Sequence, residues 1–394
     1  MEKPKGLRFS PLTLKAEILS TILLFGVAGV TLAVPNVAGC SGSSAGSGTG
    51  LPPEQSAATQ TIATTAAQNG AVIVTLTDTT SGATLYYTID GSAPTPSSPK
   101  YYAPFLVASN LTLKAIAAAP PLLNSSVATQ TFSPNIASGS LVWSDEFANS
   151  GSANAEPNAT MWTWDTGTNC CGNNELETYC VWGSTTGPCT PTNPNAYVGT
   201  DGYLHVVALN PSANVYTSAR LKSQGLFSFQ YGRIEAKIML PESQGMWPAF
   251  WLLGNNITTV SWPACGEADI MEHIDGSNPP INGVGPGYDW VQSSVHGTNL
   301  NGGAPYTATG FSAAAWHTYG MIWTKGQVQF YIDSPTNIYE TFTPTSISGT
   351  WPFDQGPMFI ILNLAVGGTW PGSPNSSTVF PSTMLVDYVR IYSN

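Results

Sequence analysis

The feature that most restricts this chain is the period of its apolar residues. From about residue 58 onward they recur at every second position in short runs, which puts successive side chains on opposite faces of an extended strand. AVIVTLTDT, ATLYYTIDG, GYLHVVAL, YGRIEAKIML, HTYGMIWT, QVQFYID and MLVDYVRIY all follow this pattern, and Gly, Pro, Ser or Asn punctuate them. Helical periodicity is almost absent. Many strands with few helices bury their apolar faces by packing one antiparallel sheet on another, so the chain reads as all-β. Only 9% of the residues are charged, while Gly and Pro are abundant. That mix suits turn-rich β structure displayed outside the cell.

The 394 residues allow about two or three folded units. Residues 1–39 read as a targeting segment, in which Lys3, Lys5, Arg8 and Lys15 precede an uncharged apolar run over residues 18–34. Val37-Ala38-Gly39-Cys40 resembles a bacterial lipobox, so Cys40 is expected to be lipidated and to become the mature N-terminus. The alternative is an uncleaved membrane anchor. Either way the rest lies outside the cytoplasm, as a cell-surface or periplasmic lipoprotein or a secreted protein. Residues 40–57 form a Gly/Ser-rich tether, residues 58–135 a small β-sandwich, and residues 136–394 one long β-rich unit. The small unit carries no catalytic constellation and reads as a spacer. Glycan binding through Tyr86, Tyr87, Tyr101 and Tyr102 is the other reading, against ordinary strand packing.

The net charge of −11 repels phosphate backbones, which excludes nucleic acid as a partner, whereas a neutral glycan meets no conflict. Beyond Cys40, Cys170, Cys171, Cys180 and Cys189 cluster in one loop-like stretch, and Cys265 stands apart. Four clustered cysteines suit two disulfides in an oxidising compartment. Vicinal Cys170 and Cys171 are expected to bridge to Cys180 and Cys189 rather than to each other, with the connectivity left open.

Chemistry concentrates in Gly266-Glu267-Ala268-Asp269-Ile270-Met271-Glu272-His273-Ile274, where a charge-poor chain places three acids within six residues. In a regular strand Glu267 and Asp269 share one face and Glu272 falls on the other. One bulged residue returns Glu272 to the first face. Three neighbouring carboxylates repel one another and raise at least one pKa. Retaining glycoside hydrolysis uses such a pair, one ionised and one protonated, about 5–5.5 Å apart. The bland readings are solvated surface acids or a calcium site, for which a strand is a poor cage. Upstream, Trp247 and Trp251 lie four apart, so a strand presents both to one face, where indoles stack on sugar rings or pack in the core. Downstream, SVHG places His296 beside the same region.

YGRIEAKIMLPESQGMWPAFWLLG, WPACGEADIMEHI, SSVHG, HTYGMIWT and FIILNLAVGGTWPG resemble the laminarinase branch of glycoside hydrolase family 16 over residues 141–392. The small unit, with YYTIDGSAPT, resembles the β-sandwich module at the ends of chitobiases and many bacterial surface glycosidases. The first resemblance implies a concanavalin-like β-jelly roll and a retaining double displacement. Its E-x-D-x-x-E pattern falls on Glu267 as nucleophile, Asp269 as its assistant and Glu272 as acid/base. Two residues between the last two acids is the form of β-1,3-glucanases. Asn173, Arg220, Trp247, Trp251 and His296 match positions that contact substrate. A structural calcium on the convex face is implied, with Glu146 and Asp387 where its ligands would come from. No other cofactor is required.

The resulting expectation is a monomeric endo-β-1,3-glucanase acting on laminarin-like or mixed-linked glucan. Alternatives are a galactanase of the agar or carrageenan type, a transglycosylase, or a glucan-binding protein that has lost catalysis. The last is disfavoured because both glutamates are present.

Overall fold

The computed structural model describes residues 54–168, 172–275, 287 and 289–394. The targeting segment, Cys40, most of the tether, Cys170 and Cys171 lie outside the described residues. Among the described residues no helix is long and apolar enough to cross a membrane.

The large unit is two packed sheets, antiparallel throughout except where Glu177–Tyr179 runs parallel to Val215–Ser218. One has seven strands in the order Leu300–Thr307, Trp290–Gly297, Glu267–Glu272, Met246–Gly254, Met358–Val366, Arg220–Lys222 and Thr163–Trp164. The other has eleven, with Ser382–Tyr392 near its middle between Gly232–Met239 and Leu204–Ser212. The shared core draws from both, including Phe250, Leu252, Ile360 and Leu362 from the first and Ile234, Ala236, Val386 and Val389 from the second. Alternation explains most of these strands. In Met246–Gly254, Met246, Phe250 and Leu252 face the core while Trp247 and Trp251 stay half-buried on the other side. Met358–Val366 does not alternate and is buried at every position. Its outer face is covered as well: Phe359 and Ile361 pack there with Leu253, Cys265 and Trp251.

The small unit has two three-stranded sheets, Thr61–Ala66 with Val72–Thr77 and Phe105–Val107, and Thr84–Thr88 with Leu111–Ala118 and Ala128–Phe132. They close over Val74, Leu76, Leu113 and Phe132, and Tyr87 stacks on Phe105 with ring centroids 5.2 Å apart. Tyr87 is therefore packing rather than a sugar platform.

The unit is not a free spacer. Leu106 N donates to Ser228 O at 2.9 Å and Ser228 Oγ donates to Pro104 O at 3.0 Å. Leu106 and Ala71 belong to the same buried cluster as Val142 and Phe227 of the large unit. Asn69 Nδ2 bonds Leu141 O at 2.7 Å, and the Tyr102 hydroxyl lies 2.7 Å from Thr259 Oγ1. A strand edge that would otherwise be open finds its partner across this contact.

Cys180 is bonded to Cys189, with their Cα atoms 5.7 Å apart. This corrects the expected bridging of both to Cys170 and Cys171. The loop after Glu177–Tyr179 turns back within nine residues and brings the two thiols into disulfide reach of each other. Cys265 is free and buried.

Candidate active site

The strand Glu267–Glu272 lies between Met246–Gly254 and Trp290–Gly297. Gly266, just before it, has φ +83°, and a Cβ there would come within 2.8 Å of Pro352, so both the conformation and the space call for glycine. Along the strand Asp269 faces Trp251 and Met271 faces Phe250, which leaves Ile270 as an extra residue. This is the bulge that the spacing of the acids requires. Ala268, Ile270 and Met271 point into the core, all at 1% exposure or less. Glu267, Asp269 and Glu272 instead line one cleft of about 1310 Å³.

Burial dominates the electrostatics of the three acids. It raises Glu267 to about 8, helped by the charge of Asp269 and opposed by His296 and Arg220. It raises Asp269 to about 8. Glu272 is raised to about 8 by burial and then by Asp269, against a hydrogen bond from Trp247 that favours its ionised form. Trp247 Nε1 donates to Glu272 Oε1 at 3.0 Å. His296 Nε2 lies 3.2 Å from Asp269 Oδ2 and 3.8 Å from Glu267 Oε1. The cluster therefore holds protons near neutrality while its members face different partners, which is the condition for one carboxyl to act as acid and another as base or nucleophile.

Asn173, Arg220, Trp247, Trp251 and His296 all line the same cleft, although they come from four separate segments. Trp251 donates through Nε1 to Asn363 Oδ1 at 2.8 Å, and the Arg220 guanidinium lies 4.6 Å from the centroid of its ring. Arg220 is held in turn by Asp165, with Nε 3.0 Å from a carboxylate oxygen. The cleft also contains residues that sequence reasoning did not single out: Trp262, Trp370, Asn363 and Glu175. Trp262 is 57% exposed beside His296, and Trp370 meets Trp247 edge-on at 5.3 Å. Both tryptophans were visible in WPACGE and GGTWPG, but nothing in their local pattern says which face they take.

The two acids expected to serve a structural calcium are each paired with a basic side chain. Arg390 clasps Glu146 with two bonds of 2.9 and 2.7 Å, and Lys237 Nζ donates to Asp387 Oδ2 at 2.8 Å. Each carboxylate already faces a cation. Among the described residues neither belongs to a group of three metal-ligating side chains. A divalent ion there would have to take these oxygens from their basic partners and gather further ones.

The family model for glycosyl hydrolases family 16 matches residues 188–390. The chain belongs to that family. A second model, Fn3 associated, matches residues 74–132 of the small unit. The β-glucanase of Rhodothermus marinus is 36% identical over 273 residues, covering 64% of this chain and 84% of that protein. The keratan-sulfate endo-1,4-β-galactosidase of Sphingobacterium multivorum is 34% identical, and the chain spans only 54% of its length. Among solved structures, the endo-β-1,3-glucanase from Pyrococcus furiosus has a TM-score of 0.53 and 35% identity, covering 64% of this chain and 94% of its own. The all-β jelly-roll sandwich and the glycoside hydrolase activity thus come together with the acid-lined cleft described above.

Proposed function

We propose that the protein is a retaining endo-glycosidase that hydrolyses β-1,3 or mixed β-1,3/1,4-glucans such as laminarin. The observation that carries this is the bulged strand, which sets Glu267, Asp269 and Glu272 side by side on the floor of a tryptophan-lined cleft. Glu267 is the nucleophile: it attacks the anomeric carbon while Glu272 protonates the leaving oxygen. Glu272, now ionised, then takes a proton from water, which displaces Glu267 and restores both groups. Asp269, between them and next to His296, holds Glu267 and adjusts the charge it feels. Trp247 and Trp251 offer indole faces to sugar rings, and Asn173, Arg220 and His296 offer polar contacts.

The names of the relatives support the glucan reading. A galactan is the second reading, favoured by the likeness to the keratan-sulfate galactosidase. Against a sulfated polymer, Arg220 is the one lysine or arginine among the described residues lining the cleft. The small unit fits a chitobiase-type β-sandwich, and the N-terminal segment supports export with a lipid anchor at Cys40 on a monomeric enzyme.

The test is incubation with laminarin, lichenan, agarose and xyloglucan in parallel, with products resolved by size and anomeric configuration followed by NMR. Short β-1,3-linked oligosaccharides released from laminarin with retained configuration are the expected result. Cleavage confined to agarose, or inversion, refutes the assignment.

A further inference from the structure

At one wall of the cleft, which Glu175 helps to line, lies a buried group that the double displacement does not use. Glu175 and Glu177 are 6% and 1% exposed and stand two residues apart beside Tyr179, itself fully buried. Two carboxyls in such a place need a reason, because each must be hydrogen-bonded or neutral. Their contacts form a directed chain that begins in the cleft. Trp251 Nε1 donates to Asn363 Oδ1 at 2.8 Å. Asn363 Nδ2 donates to the Tyr179 hydroxyl at 3.3 Å. Tyr179 donates to Glu175 Oε2 at 3.2 Å. The other oxygen, Glu175 Oε1, accepts from Asn173 Nδ2 at 3.1 Å.

We propose that Glu175 is a positioning residue for the sugar-binding side of the cleft, the shared acceptor that orients Trp251 through Asn363 and Tyr179 and holds Asn173 directly. The chain has one polarity. Every link donates toward the buried carboxyls, with the Tyr179 hydroxyl within reach of Glu177 as well as Glu175, so this pair decides which way the Asn363 amide and the Tyr179 hydroxyl point. An amide turned the other way would set its NH₂ against the Trp251 N–H.

Glu177 supports this arrangement from beneath. One of its oxygens is occupied by Val366 N at 2.7 Å. Burial, and then Glu175, push it up to about 8. It stays protonated at neutral pH and is a hydrogen-bond partner of Glu175. The Tyr179 phenol is pushed well above its ordinary range, first by burial, so it remains a donor. The segment carrying these groups is tied to the cleft wall, since Thr369 N donates to Asn173 O at 2.8 Å and Leu176 N to Val366 O at 2.8 Å. The Cys180–Cys189 bond closes the loop immediately after Tyr179.

The inference rests on the cleft being the polysaccharide groove. Trp251 and Asn173 do not touch the reacting bond, so misplacing them weakens ground state and transition state alike and acts on KM rather than kcat. The experiment compares the full chain with Glu175→Gln and Tyr179→Phe on whichever of laminarin, lichenan, agarose and xyloglucan the unaltered enzyme cleaves fastest. A wrong substrate reading then appears in the unaltered enzyme and leaves the comparison intact. Both variants should raise KM about 5- to 10-fold with kcat within about 2-fold, the size of one lost buried hydrogen bond. Tyr179→Phe removes one hydroxyl and keeps both carboxyls, so it carries the test even if Glu175→Gln fails to fold. An unchanged KM for Tyr179→Phe overturns the proposal. So does a loss confined to kcat that matches a loss of folded protein, which would mark a purely structural role.

Discussion

A chain starting at residue 136, without the small unit, should unfold well below the full protein. The contact between the units contains two hydrogen bonds away from solvent, Leu106 N to Ser228 O and Ser228 Oγ to Pro104 O. At about 1 kcal/mol each they contribute about 2 kcal/mol. Leu106, 8% exposed within the core of the large unit, and Ala71, 1% exposed, add about 2–3 kcal/mol of apolar burial. The bonds from Asn69 and Tyr102 are exposed and add little. The sum, about 4–5 kcal/mol, is a large part of a typical domain stability of about 5–15 kcal/mol. For a sandwich of this size it corresponds to a fall in Tm of about 10 °C or more. The assay is thermal unfolding of the two chains in parallel, with laminarin hydrolysis at low temperature as a check that the truncated form is folded. Leu106→Ala in the full chain should reproduce about 2–3 kcal/mol of the loss. Equal melting temperatures for the full and truncated chains would refute the argument and return the small unit to the role of a spacer.

Glu267→Gln should lower laminarin turnover by about 10³-fold or more with the fold intact, and near-normal hydrolysis would remove Glu267 as nucleophile. Glu272→Ala should fail on glucans yet still be glycosylated by substrates with very good leaving groups; absence of azide rescue on such a substrate would count against the acid/base role. Trp247→Phe should keep Tm nearly unchanged, lower kcat/KM about 10-fold, and move the alkaline limb of the pH–rate profile upward, because the lost bond had favoured ionised Glu272. An unmoved limb would contradict the coupling. Asp269 is raised from 3.8 to about 8, so the stability it contributes is fully present below about pH 4 and is lost as pH rises toward 8. Asp269→Asn should therefore be less active but flatter in Tm between pH 5 and 8; a parallel decline in both proteins would show that Asp269 does not carry the effect.

Local pattern was enough for the strands, because alternation of apolar and polar residues is a property of consecutive positions. It was also enough for the three acids. Glu267 and Glu272 are five apart, so one extra residue is the smallest change that puts them on one face, and Ile270 is that residue. The facing of Trp247 and Trp251 follows from the same parity once the strand's inner side is known. What the local pattern could not contain is which distant segments meet. Tyr179 reaches Asn363 across 184 positions, and Trp251 reaches the same amide across 112. Both contacts depend on where Met358–Val366 sits in the sheet order. The pairing of Cys180 with Cys189, the clasping of Glu146 by Arg390 and of Asp387 by Lys237, and the docking of Leu106 against Ser228 are likewise set by how strands and units assemble. Residue identity states which bonds a side chain is able to make. The assembled sheets decide which partner is within 3 Å of it, because a hydrogen bond or ion pair loses its strength beyond contact distance and sequence separation says little about that distance.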